Sequence, residues 1–236
     1  MTQGGNDHPG RRAFLGRLLA GSAATSLLLG ESTAAAATLS EVDLLQTAAS
    51  VENLLVASYQ QASELAILGG APANPLVHLL LETYVSQHQA HATACNARLD
   101  GLKASRQTGV DSTIAASING QINQLHTLSP TQATTSWVGI GLVLENLAAE
   151  TYVSFAALLP PGATRKLFAS VMGVEAQHFC AYLILQSLLT GPSPSLAALN
   201  TQGATLFPAG VATIGFPNSL YPAKNGAAPT QGVVAG

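Results

Sequence analysis

The residues able to do chemistry in this chain come in the same order twice. Val51-Glu52-Asn53-Leu54 is followed by Tyr59, and Leu144-Glu145-Asn146-Leu147 is followed by Tyr152. In each set the Tyr stands seven residues past the Glu, about two helical turns, so on a helix the two would share a face. Farther on come His88-Gln89-Ala90-His91 and Glu175-Ala176-Gln177-His178, each with its ends three residues apart. That spacing also shares a helical face. The repeated order is Glu, Tyr, then a polar pair ending in His. Such doubling reads as internal duplication, and two related halves would pack about a pseudo-twofold axis.

The surroundings of these carboxylates are apolar. Val138-Gly139-Ile140-Gly141-Leu142-Val143-Leu144 leads into Glu145, and Leu54-Leu55-Val56-Ala57 follows Glu52. Only 9% of the residues are charged, so these are not members of a densely charged solvated face. A buried carboxylate is costly unless it is paired or bound to metal. Carboxylate oxygens with imidazole nitrogens suit Fe, Mn or Zn. The candidate ligands are therefore Glu52, His88, His91, Glu145, Glu175 and His178, with His88 read either as a ligand or as a donor behind the ligands. Tyr59 and Tyr152 are read as core aromatics whose hydroxyls bond the carboxylates. The alternative is a buried hydrogen-bonded network without metal. Glu150 falls about 140° around the helix from Glu145 and Glu82 about 180° from His91, so both are expected in solvent. Tyr84 is read as ordinary packing, His78 and His126 as surface or loop residues, and His8 as part of a leader.

Four long stretches rich in Ala, Leu, Gln and Glu must carry these groups, and they read as helices. The first spans Thr38 to Leu68, opens on the capping-box spacing Ser40-Glu41-Val42-Asp43 and stops at Gly69-Gly70-Ala71-Pro72. The second spans Pro75 to Ala104. The third runs from Pro130 to Leu159, before Pro160-Pro161-Gly162, and the fourth from Ala163 to Leu189, before Gly191-Pro192. Nothing alternates as a half-buried strand would. Short turns after helices one and three make each antiparallel to its successor. The connection from Ser105 to Thr135 is long for a loop and suits a crossover that travels the bundle, with a short helix around Ser112 to Leu128.

On these residues the chain resembles the ferritin-like family, in particular exported bacterial members related to desiccation-associated proteins. In such bundles two helices each give a Glu and the other two each give Glu-x-x-His, all inward. Glu52 and Glu145 match the single-Glu positions, Glu175-x-x-His178 matches the full motif, and His91 matches its His on helix two. His88 stands where the family places a bridging Glu. Only three carboxylates remain, so the site would hold two metals asymmetrically, one metal near Glu145, Glu175 and His178, or none. The resemblance implies an all-α bundle of two antiparallel helix pairs joined by a long crossover. It further implies binding of Fe or Mn at a mono-metal or di-metal centre, with Fe(II) oxidation or peroxide removal as its chemistry. The competing reading is a metal-free bundle with a structural or stress-associated role in the cell envelope.

Residues 1–37 read as an export leader. Gly10-Arg11-Arg12-Ala13-Phe14-Leu15-Gly16 is a twin-arginine pattern, followed by an apolar run from Leu18 to Gly30 and small residues from Ala34 to Ala37. The expected product is periplasmic, envelope-associated or extracellular, without a membrane span after cleavage. Loss of Arg11, Arg12, Arg17, Asp7 and Glu31 with the leader leaves six basic and ten acidic side chains. No basic patch remains for nucleic acid, which argues against a DNA-protecting role. Metal ions are the expected partners, and self-association is left open. Residues 38–190 are expected to form the bundle, with Cys95 and Cys180 read as two buried thiols and a single disulfide between them as the alternative. Residues 191–236 form a Pro/Gly-rich tail whose Leu206, Phe207, Phe216 and Tyr221 would either dock on the bundle or stay disordered.

Overall fold

Ser40 starts the first helix, α1 (Glu41–Glu64), through a reciprocal cap. Its hydroxyl accepts from Asp43 N at 3.1 Å, and its own N–H donates to Asp43 Oδ2 at 3.0 Å. The helix ends at Leu65, whose backbone is extended, and resumes for one turn as α2 (Ala66–Gly69). One continuous helix to Leu68 is therefore corrected to a helix and a separate turn. The break swings Leu68 into the core, where it is fully buried. It also folds the chain so closely onto its own end that a Cβ at Gly69 would lie 1.8 Å from the Ser63 carbonyl oxygen.

Asn74 caps α3 (Pro75–Gly101) by accepting from Leu76 N and Val77 N, and Pro75 occupies the first turn, where no N–H is needed. The helix closes earlier than Ala104. Ala104 N bonds Leu99 O and Lys103 N bonds Asp100 O, with Lys103 at φ 57 in the left-handed position. Asp111 then caps α4 (Ser112–Gln124), which runs into a 3₁₀ turn at Leu125–Thr127. A second reciprocal cap, Ser129 with Gln132, opens α5 (Pro130–Leu158), and α6 (Ala163–Thr190) follows. The computed structural model describes residues 39–71, 73–190 and 226–234, which contain no strand. The expected leader, residues 1–37, and the tail side chains Leu206, Phe207, Phe216 and Tyr221 lie outside them.

Pairing follows from which side chains meet. The start of α1 bonds the end of α3 through Glu41 and Arg98, while Tyr59 meets Tyr84, so α1 and α3 are antiparallel. Trp137 meets Tyr182 and Tyr152 meets Phe168, so α5 and α6 are antiparallel as well. Contacts of Tyr59 with Trp137 and of Glu52 with Tyr152 set α1 against α5. Those of Tyr84 with Tyr182 and of His91 with Glu175 set α3 against α6. The four long helices thus form a ring of antiparallel neighbours, which requires α3 and α5 to run the same way. The link between them must then travel the bundle. It does so along α1, bonded in turn by Gln46 to Ser105, Ser50 to Asp111 and Gln61 to Asn123.

The backbones approach closely within each pair and less between pairs. At Gly141 a Cβ would sit 2.6 Å from the Tyr182 ring, so that glycine makes the room the ring occupies against α5. Two apolar clusters fill the bundle. Tyr59, Leu55, Leu81, Trp137 and Tyr182 belong to one, and Leu44, Leu99, Phe155 and Phe168 to the other. Each such residue contributes roughly 1.5–3 kcal/mol by leaving water. The clusters are separate because a polar layer lies between them. Among the described residues one helix, α6, is long and apolar enough to cross a membrane, yet its Phe168, Val171, Glu175, His178, Tyr182 and Leu185 stripe packs into this core.

Residues 226–234 dock on the opposite seam, between α1 and α5. Thr151 Oγ1 accepts from Ala227 N, Thr47 Oγ1 bonds Pro229 O and receives Gly232 N, and Gln46 receives Val234 N. This part of the tail therefore takes the docked form of the two expected. Cys95 is buried, whereas Cys180 is only half-buried, and they form no disulfide.

Candidate metal centre

Every long helix sends at least one polar group into the layer between the two apolar clusters. Glu52 comes from α1, His88 and His91 from α3, Glu145 from α5, and Glu175 and His178 from α6. The helical spacings read from the sequence do place each pair on one face. Glu52, His88, Glu145 and Glu175 are fully buried, His178 nearly so, and His91 keeps 12% of its side chain exposed. The layer therefore meets solvent at the α3–α6 seam.

Two tyrosines bind it crosswise. Tyr152 of α5 donates to Glu52 Oε1 of α1 at 2.6 Å, and Tyr59 of α1 donates to Glu145 Oε1 of α5. Each tyrosine serves the carboxylate of the other half, as a pseudo-twofold relation requires. The tyrosines and Glu residues that share a face by sequence are thus partnered across the bundle rather than along one helix.

His88 sits at the centre. Its Nδ1 is 2.9 Å from Glu52 Oε2 and its Nε2 is 3.3 Å from Glu145 Oε1. Carboxylates only accept, so both ring nitrogens donate and the ring is a cation in this arrangement. Burial opposes that charge, but Glu175 and Glu145 raise the His88 pKa well above its ordinary value. The other imidazoles behave likewise. His91 Nδ1 lies 2.7 Å from Glu175 Oε1, and its pKa rises to about 9, against the effect of burial, through Glu175 and Glu52. His178 Nδ1 lies 3.1 Å from Glu145 Oε2 and 3.4 Å from Glu175 Oε2, with its pKa raised against burial by the same two carboxylates. Burial pushes the Glu175 pKa up, but the His88 charge and the contacts with all three imidazoles hold it well below the usual carboxylate range.

Glu175 differs from the other two carboxylates. Three imidazoles surround it, yet neither of its oxygens has an aligned hydrogen bond, and His91 Nδ1 is likewise unmatched. Buried polar atoms are ordinarily satisfied. Close approach without alignment is what ligands directed at a common point would show. Two sets of atoms converge in this way, Glu52, His88, His91 and Glu175 in one, and His88, Glu145, Glu175 and His178 in the other. Within each set the atoms lie no more than 4.8 Å apart. All six residues singled out from the sequence therefore come together, and the oxygen and nitrogen donors fit Fe, Mn or Zn.

Other expectations change. Glu150 is buried, with Asn146 Nδ2 donating to it at 2.6 Å, rather than solvated. Its face is covered because residue 226 packs on the backbone of Glu150 and Thr151, a contact that helical angle alone does not reveal. Tyr84 is more than packing, since its ring stacks on His178 with centroids 3.9 Å apart. Burial raises the Tyr84, Tyr59 and Tyr152 pKa values, which keeps the three hydroxyls protonated. Glu82 is exposed and pairs with His78 on the first turns of α3, and His126 is exposed. Gln87, which bonds His178, was not expected; its only sequence signal is its place one residue before His88.

A family model for a ferritin-like domain matches residues 40–186. Comparison with curated proteins and with solved structures gives no match.

Proposed function

The chain belongs to the ferritin-like domain family, and from that premise we propose that its Glu/His layer is a transition-metal centre. The observation that carries this is the fully buried Glu175, whose two oxygens face three imidazoles without one aligned hydrogen bond. Glu145, Glu175 and His178 would hold one ion, with His88 adjoining. Glu52, His91 and Glu175 offer the second position. Three carboxylates balance one divalent ion but not two, so the second position is the weaker. Iron or manganese there would supply redox chemistry, either oxidation of Fe(II) as substrate or reduction of peroxide. The protein's own part is to aim the ligands, exclude water and keep Tyr59 and Tyr152 as hydrogen-bond donors to the carboxylates.

Exposure of His91 at the α3–α6 seam supports entry of ions from that side. The Arg11-Arg12 leader supports twin-arginine export, and with it a role in the envelope or outside the cell during stress such as drying. A metal-free structural bundle is the second reading. It is favoured by the bonds already joining Glu52 and Glu145 to His88, Tyr152 and Tyr59.

Elemental analysis of protein purified after its natural export decides between them. Stoichiometric Fe, Mn or Zn, lost in Glu175→Ala and His178→Ala, is expected. A folded, metal-free protein that takes up neither Fe(II) nor Mn(II) would leave the structural reading.

A further inference from the structure

We propose that Gln87 is the positioning residue for His178, holding a proton on Nε2 so that Nδ1 is presented to the carboxylates. This rests on the metal-centre reading. Gln87 lies exposed at the α3–α6 seam, and its Oε1 stands 2.5 Å from His178 Nε2. An amide oxygen only accepts, so Nε2 donates. On the other edge of the ring, Nδ1 is 3.1 Å from Glu145 Oε2 and 3.4 Å from Glu175 Oε2.

Tyr84 stacks on this ring, with planes 23° apart. Stacking fixes the plane but not the edge that points inward. A half-turn about Cβ–Cγ presents an equivalent face to Tyr84 while exchanging Nδ1 for a carbon. The bond from Nε2 to Gln87 exists in only one of those two orientations. A ligating imidazole must also give up its inner proton and keep its outer one, and an acceptor on the outer N–H secures that state.

The other half has no such device. The twofold relation that matches His88 with Glu175 matches Gln87 with Val174, whose side chain has no acceptor. His91, the counterpart of His178, turns its Nδ1 inward to Glu175 and Glu52 and so meets no side-chain acceptor from residue 174 at its outer Nε2. Gln87 thus makes the Glu145, Glu175 and His178 half the better ordered, and the first ion binds there.

Gln87 is exposed, so Gln87→Leu and Gln87→Glu should both fold, with unchanged circular dichroism. In the metal-free protein, nitrogen-resolved NMR should show a His178 Nε2–H protected from exchange in wild type and Q87E and unprotected in Q87L. Titration with Zn(II) should show affinity weakened about 10- to 100-fold in Q87L and retained in Q87E. Equal Zn(II) affinity in Q87L and wild type overturns the proposal, and so does an unprotected Nε2–H in metal-free wild type. If wild type binds no Zn(II), the metal-centre reading fails, and the metal-free ring signal alone decides whether Gln87 positions His178.

Discussion

Glu175→Gln keeps the shape of the side chain and removes one negative charge from the middle of the layer. Its magnitude can be bounded from the geometry. The ligand atoms around Glu175 lie within 4.8 Å of one another, so an ion held among them interacts with this carboxylate at short range. Unit charges about 4 Å apart are worth about 4 kcal/mol at an effective dielectric near 20, and a divalent ion doubles that. Several kcal/mol return because the variant no longer buries an ionised carboxylate. The expected net loss is about 3 kcal/mol, or roughly 100-fold in Kd. Competition against a chromophoric chelator reads this for Zn(II), and anaerobic titration reads it for Fe(II), with thermal melts confirming the fold. Affinity within about threefold of wild type would refute the reasoning, because one of three carboxylates would then have no hold on the ion. A metal-free variant destabilised by about 3–5 kcal/mol, with wild type taking up no metal, would instead make Glu175 a structural counter-ion of the imidazoles.

Three further outcomes test the site and its surroundings. In the metal-free protein, stability should fall as pH rises from about 6.5 to about 9. His91 has a folded pKa raised to about 9, so its contribution is complete below the unfolded value and is lost as pH passes the folded one. His88 and His178 shift in the same direction. Melting curves of chelator-treated protein across that range check this, and a flat profile would contradict the charge pairing. Metal affinity should move oppositely, tightening with pH as ions replace protons. Gly232→Ala should destabilise the fold by about 1–3 kcal/mol while leaving Zn(II) affinity unchanged. The added Cβ would lie 2.1 Å from Ser50 Oγ and 2.8 Å from Thr47 Cα, pushing residues 226–234 off α1. Differential scanning calorimetry measures the loss, and an unchanged melting temperature would show that this segment does not stay docked.

The helices and the identities of the six ligand candidates were legible in the chain itself because both rest on local regularities. Ser40 with Asp43, Ser129 with Gln132 and Pro75 mark helix starts within one turn of the residue concerned. Spacings of three between His88 and His91, and between Glu175 and His178, put each pair on one face whatever lies opposite. Relations between helices carry no such local mark. Tyr59 reaches Glu145 and Tyr152 reaches Glu52 only because two halves of the chain are packed against each other. Gln87 becomes the partner of His178, and Glu150 becomes buried, only when α3 meets α6 and residue 226 meets α5. Periodicity along one helix states which residues point the same way. Which carboxylate is satisfied and which is left open depends on what the neighbouring helices deliver, and only the tertiary structure decides that.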